Sequence, residues 1–236
     1  GIQKASEELS QFGIQVKHYY FNQNKIESFI TAANKILEDS PDGVILAPVI
    51  NFEAVKLCTK LKKKGTPFIL IDSNIRGSGA ISFIGQDAFQ SGRLAAKLLK
   101  SCIKDGKILI LSIKNNENHN KTLQKRIEGF KDYLLQQDNI DEIQLEEVII
   151  DQREKNWKRG LQNILFEKHP FGIYVPSSKV HYVAEILNTT KDFSCSLVGN
   201  DLIANNSYYI ESGDIDYVIG QRPEMQGYQA VENLYR

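Results

Sequence analysis

Short, continuous runs of apolar residues alternate with helix-like patterns along this chain. Runs such as 43–47 (GVILA), 67–71 (PFILI) and 172–175 (GIYV) contain almost no polar residues. Continuous apolar strands of this length are typical of parallel sheets that are covered on both faces. Because parallel neighbours must be joined by crossovers, the alternation predicts an α/β fold made of right-handed βαβ units.

The same pattern predicts nine strands, at 14–20, 43–47, 67–71, 81–84, 107–113, 145–150, 172–175, 195–199 and 217–220. Between them, apolar residues recur every three or four positions in 26–38 and 120–137, as they do on one face of a helix. The sequence opens in a helix pattern that no strand precedes. An α/β lobe normally begins with a strand, so we interpret the sequence as an excerpt whose first lobe lacks its first strand.

Bulk composition restricts the class of protein. The 236 residues suit one large domain or two small lobes, and 42% hydrophobic with 25% charged residues is ordinary for a soluble globular protein. The net charge is +0, so the sequence has no excess of positive charge that would bind nucleic acid. A DNA-contacting part would therefore lie outside this sequence. No apolar run is long enough to cross a bilayer, and the first residues do not form a signal peptide.

Motifs for catalysis, metals and cofactors are missing from the sequence. The three cysteines, Cys58, Cys102 and Cys195, are widely spaced and odd in number, which argues against a disulfide framework and favours a reducing compartment. The four histidines have no metal-ligand spacing, and neither a phosphate-binding glycine loop nor a G-x-S-x-G elbow is present. We therefore expect no metal, no cofactor and no enzymatic activity.

Polar side chains follow several of the predicted strands. Asp72 ends FILID, Gln86 and Asp87 follow ISFIG, and Asp201 follows CSLVGN. Open α/β sheets bind ligands at the carboxyl ends of their strands, so Gln86 and Asp87 lie where a ligand could bind. Each aspartate has a simpler interpretation: Asp72 in a turn, Asp87 as the cap of the next helix, and Asp201 as the cap of a short helix at 202–206.

Six blocks of sequence, in this order, resemble the lactose-repressor (LacI) family and the related ribose-type periplasmic binding proteins. They are DGVILAP (42–48), GTPFILID (65–72), FIGQD (83–87), KRIEGF (125–130), LVGND (197–201) and IGQRPEMQGYQA (219–230). The resemblance implies two doubly wound parallel-sheet lobes joined by crossover hinges, with a small ligand in the cleft. Residues 1–86 and 222–236 would form the N-terminal lobe and 87–221 the C-terminal lobe, with Gln86 and Asp87 at a hinge.

The resemblance also assigns ligand contacts, and these are Asp72, Arg126, Asp201 and Gln221. Carboxylates, amides and a guanidinium suit the paired donors and acceptors of sugar hydroxyls. Arg126 is otherwise a surface charge on an amphipathic helix, and Gln221 an ordinary loop amide. Ser177, in Pro176-Ser177-Ser178, stands where the family usually has an Asn-Asp pair, which leaves the type of sugar open.

Trp157 is a further candidate, since a tryptophan can stack on a sugar face, although a lone helical tryptophan more often belongs to the core. Weaker candidates are Asn51, Asn74 and His119.

The resemblance implies the effector-sensing domain of a LacI-type transcriptional regulator. Such a protein would bind a small ligand, expected to be a sugar or sugar derivative, and change its DNA affinity through lobe closure in a homodimer. It would bind DNA through an N-terminal helix-turn-helix outside this sequence, work in the cytoplasm and have no membrane partner. The alternatives are a periplasmic sugar-binding protein of a transporter or sensor and, from another class, an enzyme on a flavodoxin-like fold.

Overall fold

The computed structural model describes residues 1–115, 121–137, 143–189 and 194–236. The chain divides into two compact units. Unit 1 comprises Gly1–Gln86 and Arg222–Arg236, and unit 2 comprises Asp87–Gln221. Each unit contains a parallel sheet with helices packed on it, so the α/β class predicted from the sequence is confirmed.

Unit 1 is built on a three-stranded parallel sheet in the order β1-β2-β3. Its elements are α1 (Ile2–Leu9), a 3₁₀ turn (Ser10–Phe12), α2 (Ile26–Asp39), β1 (Val44–Leu46), α3 (Asn51–Lys64), β2 (Phe68–Ile71), β3 (Ser82–Ile84) and α9 (Pro223–Tyr235). Strand β2 is fully buried over its first three residues, because α2 and α3 supply apolar side chains to the same core. The continuous apolar runs therefore reflect burial on both faces of the sheet.

The predicted strand at 14–20 is wrong. Its side chains do alternate between half-buried and exposed up to Lys17, yet these residues have no strand assignment. The segment lies across a cavity of about 790 Å³ from Val44–Leu46, so no neighbouring backbone in the described ranges supplies ladder hydrogen bonds. Its Lys17 ammonium and Tyr19 hydroxyl instead bind the Asp39 carboxylate, each at 2.5 Å.

Unit 2 is built on a five-stranded parallel sheet in the order β5-β4-β6-β7-β8. Its elements are α4 (Ala88–Cys102), β4 (Gly106–Lys114), α5 (Lys121–Leu135), β5 (Ile143–Asp151), α6 (Trp157–Lys168), β6 (Gly172–Val175), α7 (Val180–Asn188), β7 (Ser196–Asn200), α8 (Ala204–Glu211) and β8 (Tyr217–Ile219). The eight sequence-predicted strands other than 14–20 are thus confirmed within two residues at each end.

Side chains of β4 alternate between two cores, as the period of a strand requires. Leu109 and Leu111 face the core formed with α6 and α7, whereas Ile108 and Ile110 face the core formed with α4 and α5. Both faces of the central strand are therefore buried. The carboxyl edge of the sheet is left as the place where polar side chains can gather.

Two glycines allow α4 and α5 to approach backbone to backbone. A Cβ added at Gly92 would lie 1.8 Å from the carbonyl oxygen of Arg126, and one at Gly129 would lie 1.9 Å from that of Phe89. No larger residue fits at either position without moving the helices apart. The close packing fixes where the Arg126 backbone lies relative to α4.

Among the described helices, none is both long and apolar enough to cross a membrane.

Candidate functional site

Each unit has an aspartate in the left-handed region immediately after a buried strand. Asp72 follows β2 with φ 65°, and Asp201 follows β7 with φ 67°. Both backbone amides still donate to the neighbouring strand, Asp72 to Ile84 at 3.1 Å and Asp201 to Ile219 at 3.0 Å. A non-glycine residue in this region costs on the order of 1–3 kcal/mol and is concentrated at functional sites. The two aspartates are therefore equivalent, strained positions at the carboxyl ends of the two sheets.

A short internal repeat accompanies these aspartates. Ile84-Gly85-Gln86 begins with the last residue of β3, and Ile219-Gly220-Gln221 begins with the last residue of β8. In each unit the strand that precedes the aspartate is paired with the strand that leads into this tripeptide. The repeat is a sequence signal that links Gln221 to Asp201.

Arg126, Asp201 and Gln221 lie together at the carboxyl edge of unit 2. The Gln221 amide nitrogen donates to Asp201 Oδ1 at 2.5 Å, and Arg126 Nη2 lies 3.8 Å from the same oxygen. Arg126 is only 2% exposed, and its Nη1 donates to the carbonyl oxygen of Pro176 at 2.8 Å. The structure therefore unites three of the predicted ligand residues, and it places Arg126 in the interior and not on the helix surface.

Ser177 follows the Pro176 carbonyl that Arg126 holds. Its hydroxyl oxygen is buried and has no hydrogen-bond partner within the described part of the chain. A buried hydroxyl without a partner costs about 1–3 kcal/mol. A ligand oxygen could satisfy this hydroxyl, whose residue directly follows the carbonyl that Arg126 binds.

Asn206 holds together the turns that carry these residues, a role that no pattern in the sequence indicates. It is fully buried, and its amide nitrogen donates to the carbonyl oxygens of Asp201 at 2.7 Å, Ser178 at 3.1 Å and Asn200 at 3.3 Å. Its amide oxygen accepts from the backbone nitrogen of His181 at 3.2 Å, with His181 Nδ1 at 3.0 Å. One side chain therefore joins the β6–α7 turn to the β7–α8 turn.

Asn200 joins the same edge to α4. The Tyr174 hydroxyl donates to its amide oxygen at 3.0 Å, and its amide nitrogen donates to the Ser91 hydroxyl at 3.2 Å. Burial raises the pKa of Tyr174, so the phenol stays protonated as a donor. In the sequence, Asn206 is one of several polar residues of α8, and Asn200 is the last residue of an apolar strand. Composition therefore identifies neither as a residue that positions the site.

Asp87 caps α4, as the sequence predicts. Its carboxylate accepts from the Gln90 backbone nitrogen at 3.1 Å. The boundaries between the two units fall after Gln86 and after Gln221. Arg222, the next residue, has φ 52°, so the backbone is left-handed at this boundary. The hinge role of Gln86 and Asp87 stays a prediction.

The other candidates lie apart from the Arg126 cluster. Trp157 is the first residue of α6 and packs against the unit 2 core, edge-on to Tyr182 with ring centroids 4.9 Å apart. The residue at the N-cap of α3 is Ile50, so Asn51 is the first residue of that helix and does not cap it. The residue at the N-cap of α8 is Ile203, so Asp201 does not cap that helix. Asp72 and Asn74 are exposed in unit 1, and His119 lies outside the described residues.

No group of three or more histidine, cysteine or acidic residues that could hold a metal ion occurs in the described ranges. All three cysteines are free, and burial raises the pKa of the Cys58 thiol, which makes that thiol unreactive. The guanidinium, carboxylate and amide at the carboxyl edge of unit 2 are instead groups that bind polar ligands.

Comparison with known proteins gives a family over the whole length. The profile described as "Periplasmic binding protein domain" matches residues 1–236. A solved structure of a candidate LacI transcriptional regulator from Bacteroides fragilis superposes with a TM-score of 0.90 at 26% identity, covering 99% of this chain and 81% of that one. No curated protein sequence matches the chain.

Sugar-binding and solute-binding proteins also superpose on this chain. A glucose-galactose binding protein from Geobacillus stearothermophilus has a TM-score of 0.82 at 19% identity, covering 99% of this chain and 84% of that one. A solute-binding protein from Burkholderia graminis, solved in complex with D-arabinose, has a TM-score of 0.82 at 18% identity, with coverages of 99% and 82%. At these identities the likeness shows the fold.

Proposed function

The chain belongs to the periplasmic binding protein domain family, and from that premise we propose that it is the sugar-sensing domain of a LacI-type transcriptional regulator. The family consists of binding proteins and not enzymes, so the role of the site is to recognise a ligand. The enzyme alternative raised by the sequence is thereby set aside.

The observation that carries the binding function is the buried Arg126 with Asp201 and Gln221 at the carboxyl edge of unit 2. A guanidinium offers a rigid fork of donors, a carboxylate offers acceptors, and an amide offers both. Neighbouring sugar hydroxyls need such a set, because each hydroxyl both donates and accepts. The strained backbone of Asp201 supports the assignment, since strain of this kind is kept where it serves a site.

The regulator role is supported by the likeness to the Bacteroides fragilis protein, at 26% identity and a TM-score of 0.90. The sugar-transport, sugar-binding and solute-binding proteins reach 18–22% identity and TM-scores of 0.78–0.82. In this proposal the protein is a cytoplasmic homodimer with a DNA-binding helix-turn-helix outside this sequence. The sugar shifts the population between forms of different DNA affinity, and it does so only in so far as it binds them differently.

The alternative is a periplasmic sugar-binding protein that serves a transporter. Two structural neighbours are described as periplasmic parts of transport systems, which is why this alternative is kept. The intact gene product distinguishes the two: the regulator is found in the cytoplasmic fraction and retards DNA from its own promoter in a gel. A protein that is exported and leaves that DNA unretarded supports the transporter alternative.

A thermal-shift screen tests ligand binding. Pentoses, hexoses, uronic acids, sugar phosphates and purines are tested one by one against the chain, and a ligand at about one hundred times its Kd stabilises the fold by about 2.7 kcal/mol. Arg126→Met and the near-isosteric Asp201→Asn should lose the shift. Arg159→Met, an exposed arginine of α6, is the matched control and should keep it. A sugar that shifts all four proteins equally refutes the site, and a screen without any sugar hit refutes the function.

A further inference from the structure

Two of the cations at the carboxyl edge of unit 2 have carboxylate partners. Arg126 lies 3.8 Å from Asp201. Arg153 binds Asp151 through Nε at 3.0 Å and Nη2 at 2.6 Å, and this contact lowers the pKa of Asp151 to about 2. The charges of these two pairs cancel, so neither pair gives the edge a net charge.

Lys179 is different, because its neighbour is neutral. It precedes α7, is half-buried, and its ammonium donates to the amide oxygen of Gln152 at 2.5 Å. Burial alone lowers its pKa, with no described carboxylate acting against that effect. A desolvated cation beside an amide is less stable than one beside an anion.

Gln152 is fixed in place by strand β4. The carbonyl oxygen of Lys114, the last residue of β4, accepts from the Gln152 backbone nitrogen at 2.7 Å. Lys179 takes part in no ion pair within the described part of the chain. Its ammonium is therefore held by a neutral amide whose own backbone is anchored to the sheet.

The turn that carries Lys179 is held in place from two sides. Arg126 binds the Pro176 carbonyl oxygen, and Asn206 binds the Ser178 carbonyl oxygen at 3.1 Å. Between these fixed points lies the buried Ser177 hydroxyl, which has no partner among the described residues. Helix α7 begins directly after the turn, so the positive end of its dipole lies next to Lys179.

We propose that Lys179 and the Ser177 hydroxyl form a subsite for the acidic group of an anionic sugar. The acidic group is a carboxylate or a phosphate, since both offer several acceptor oxygens to an ammonium and a hydroxyl. The inference deepens the proposed function and rests on it: the sugar ring binds the Arg126 cluster, and this subsite selects acidic sugars over neutral ones.

Calorimetric titration with matched pairs of sugars tests the subsite. The pairs are galactose with galacturonate, glucose with glucuronate, glucose with glucose 6-phosphate, and ribose with ribose 5-phosphate. In at least one pair the acidic member should bind about tenfold tighter than the neutral one, a difference of about 1.4 kcal/mol. A preference confined to uronates identifies a carboxylate, and one confined to phosphates identifies a phosphate. The preference should shrink at high salt.

Variants of the lysine decide whether the preference comes from this subsite. Lys179→Met should reduce it to about threefold or less, whereas Lys179→Arg should keep most of it because the charge is retained. Lys131→Met removes an exposed lysine of α5 that pairs with Glu147, and it should change nothing. Tighter binding of neutral sugars, or a preference that survives Lys179→Met, overturns the inference and leaves the proposed function standing. A chain that binds no sugar of either kind overturns both.

Discussion

Replacement of Asn206 by alanine should destabilise unit 2 more than any surface change in α8. The fully buried amide makes three donor contacts at 2.7–3.3 Å and accepts from the His181 backbone nitrogen at 3.2 Å. Taking about 1 kcal/mol for each of the three shortest of these bonds gives a loss of about 3 kcal/mol. For a protein of this size that corresponds to a fall in Tm of about 6–12 °C.

Asn205→Ala is the matched control, because Asn205 is the adjacent residue of the same helix and is exposed. Alanine is the better helix former, so this variant should be neutral or stabilised by a few tenths of a kcal/mol. Urea unfolding of both variants, followed by circular dichroism, gives the two free energies. If the two variants differ by less than about 0.5 kcal/mol, the idea that Asn206 holds the two turns together is refuted.

The remaining predictions concern backbone packing, capping and titration. Gly92→Ala should lower the free energy of unfolding by about 3 kcal/mol, because the added Cβ would clash with a carbonyl oxygen of α5. Gly160→Ala, in open space on α6, should raise it by about 0.5–1 kcal/mol. Equal effects in thermal unfolding would contradict the packing described. Asp87→Ala should cost about 1 kcal/mol through loss of the α4 cap, and Asp87→Asn should restore most of it. The Asp151 carboxyl should titrate in NMR with a pKa of about 2 and return toward about 4 in Arg153→Met. Because this pKa is lowered on folding, the contribution of Asp151 to stability is complete above about pH 4 and is lost as the pH falls toward 2; an unchanged pKa in Arg153→Met would remove Arg153 as the cause.

The sequence predicts most of the fold because burial on both sheet faces leaves a clear mark. Runs such as 172–175 are apolar throughout, and the structure buries every residue of β6. The segment 14–20 shows the limit of that logic. Its alternation is compatible with a strand, yet a strand also needs a neighbouring backbone, and the side chains of a segment do not reveal whether its neighbour is present.

The candidate site was less visible, for two physical reasons. The resemblance named Arg126, Asp201 and Gln221, but the side-chain contacts that join them depend on how closely α5 packs on α4, which Gly92 and Gly129 allow. Buried polar residues such as Asn206 look like surface residues in a sequence. Only their hydrogen bonds, made to the β6–α7 and β7–α8 turns, reveal their role.

A crystal structure of the chain with the tightest sugar from the thermal-shift screen tests the central claim most directly. The account predicts ring hydroxyls within hydrogen-bond distance of the Arg126 guanidinium and the Asp201 carboxylate, at the carboxyl edge of unit 2. A sugar bound instead in the 790 Å³ cavity beside Val44–Leu46, with Arg126 and Asp201 untouched, would contradict it.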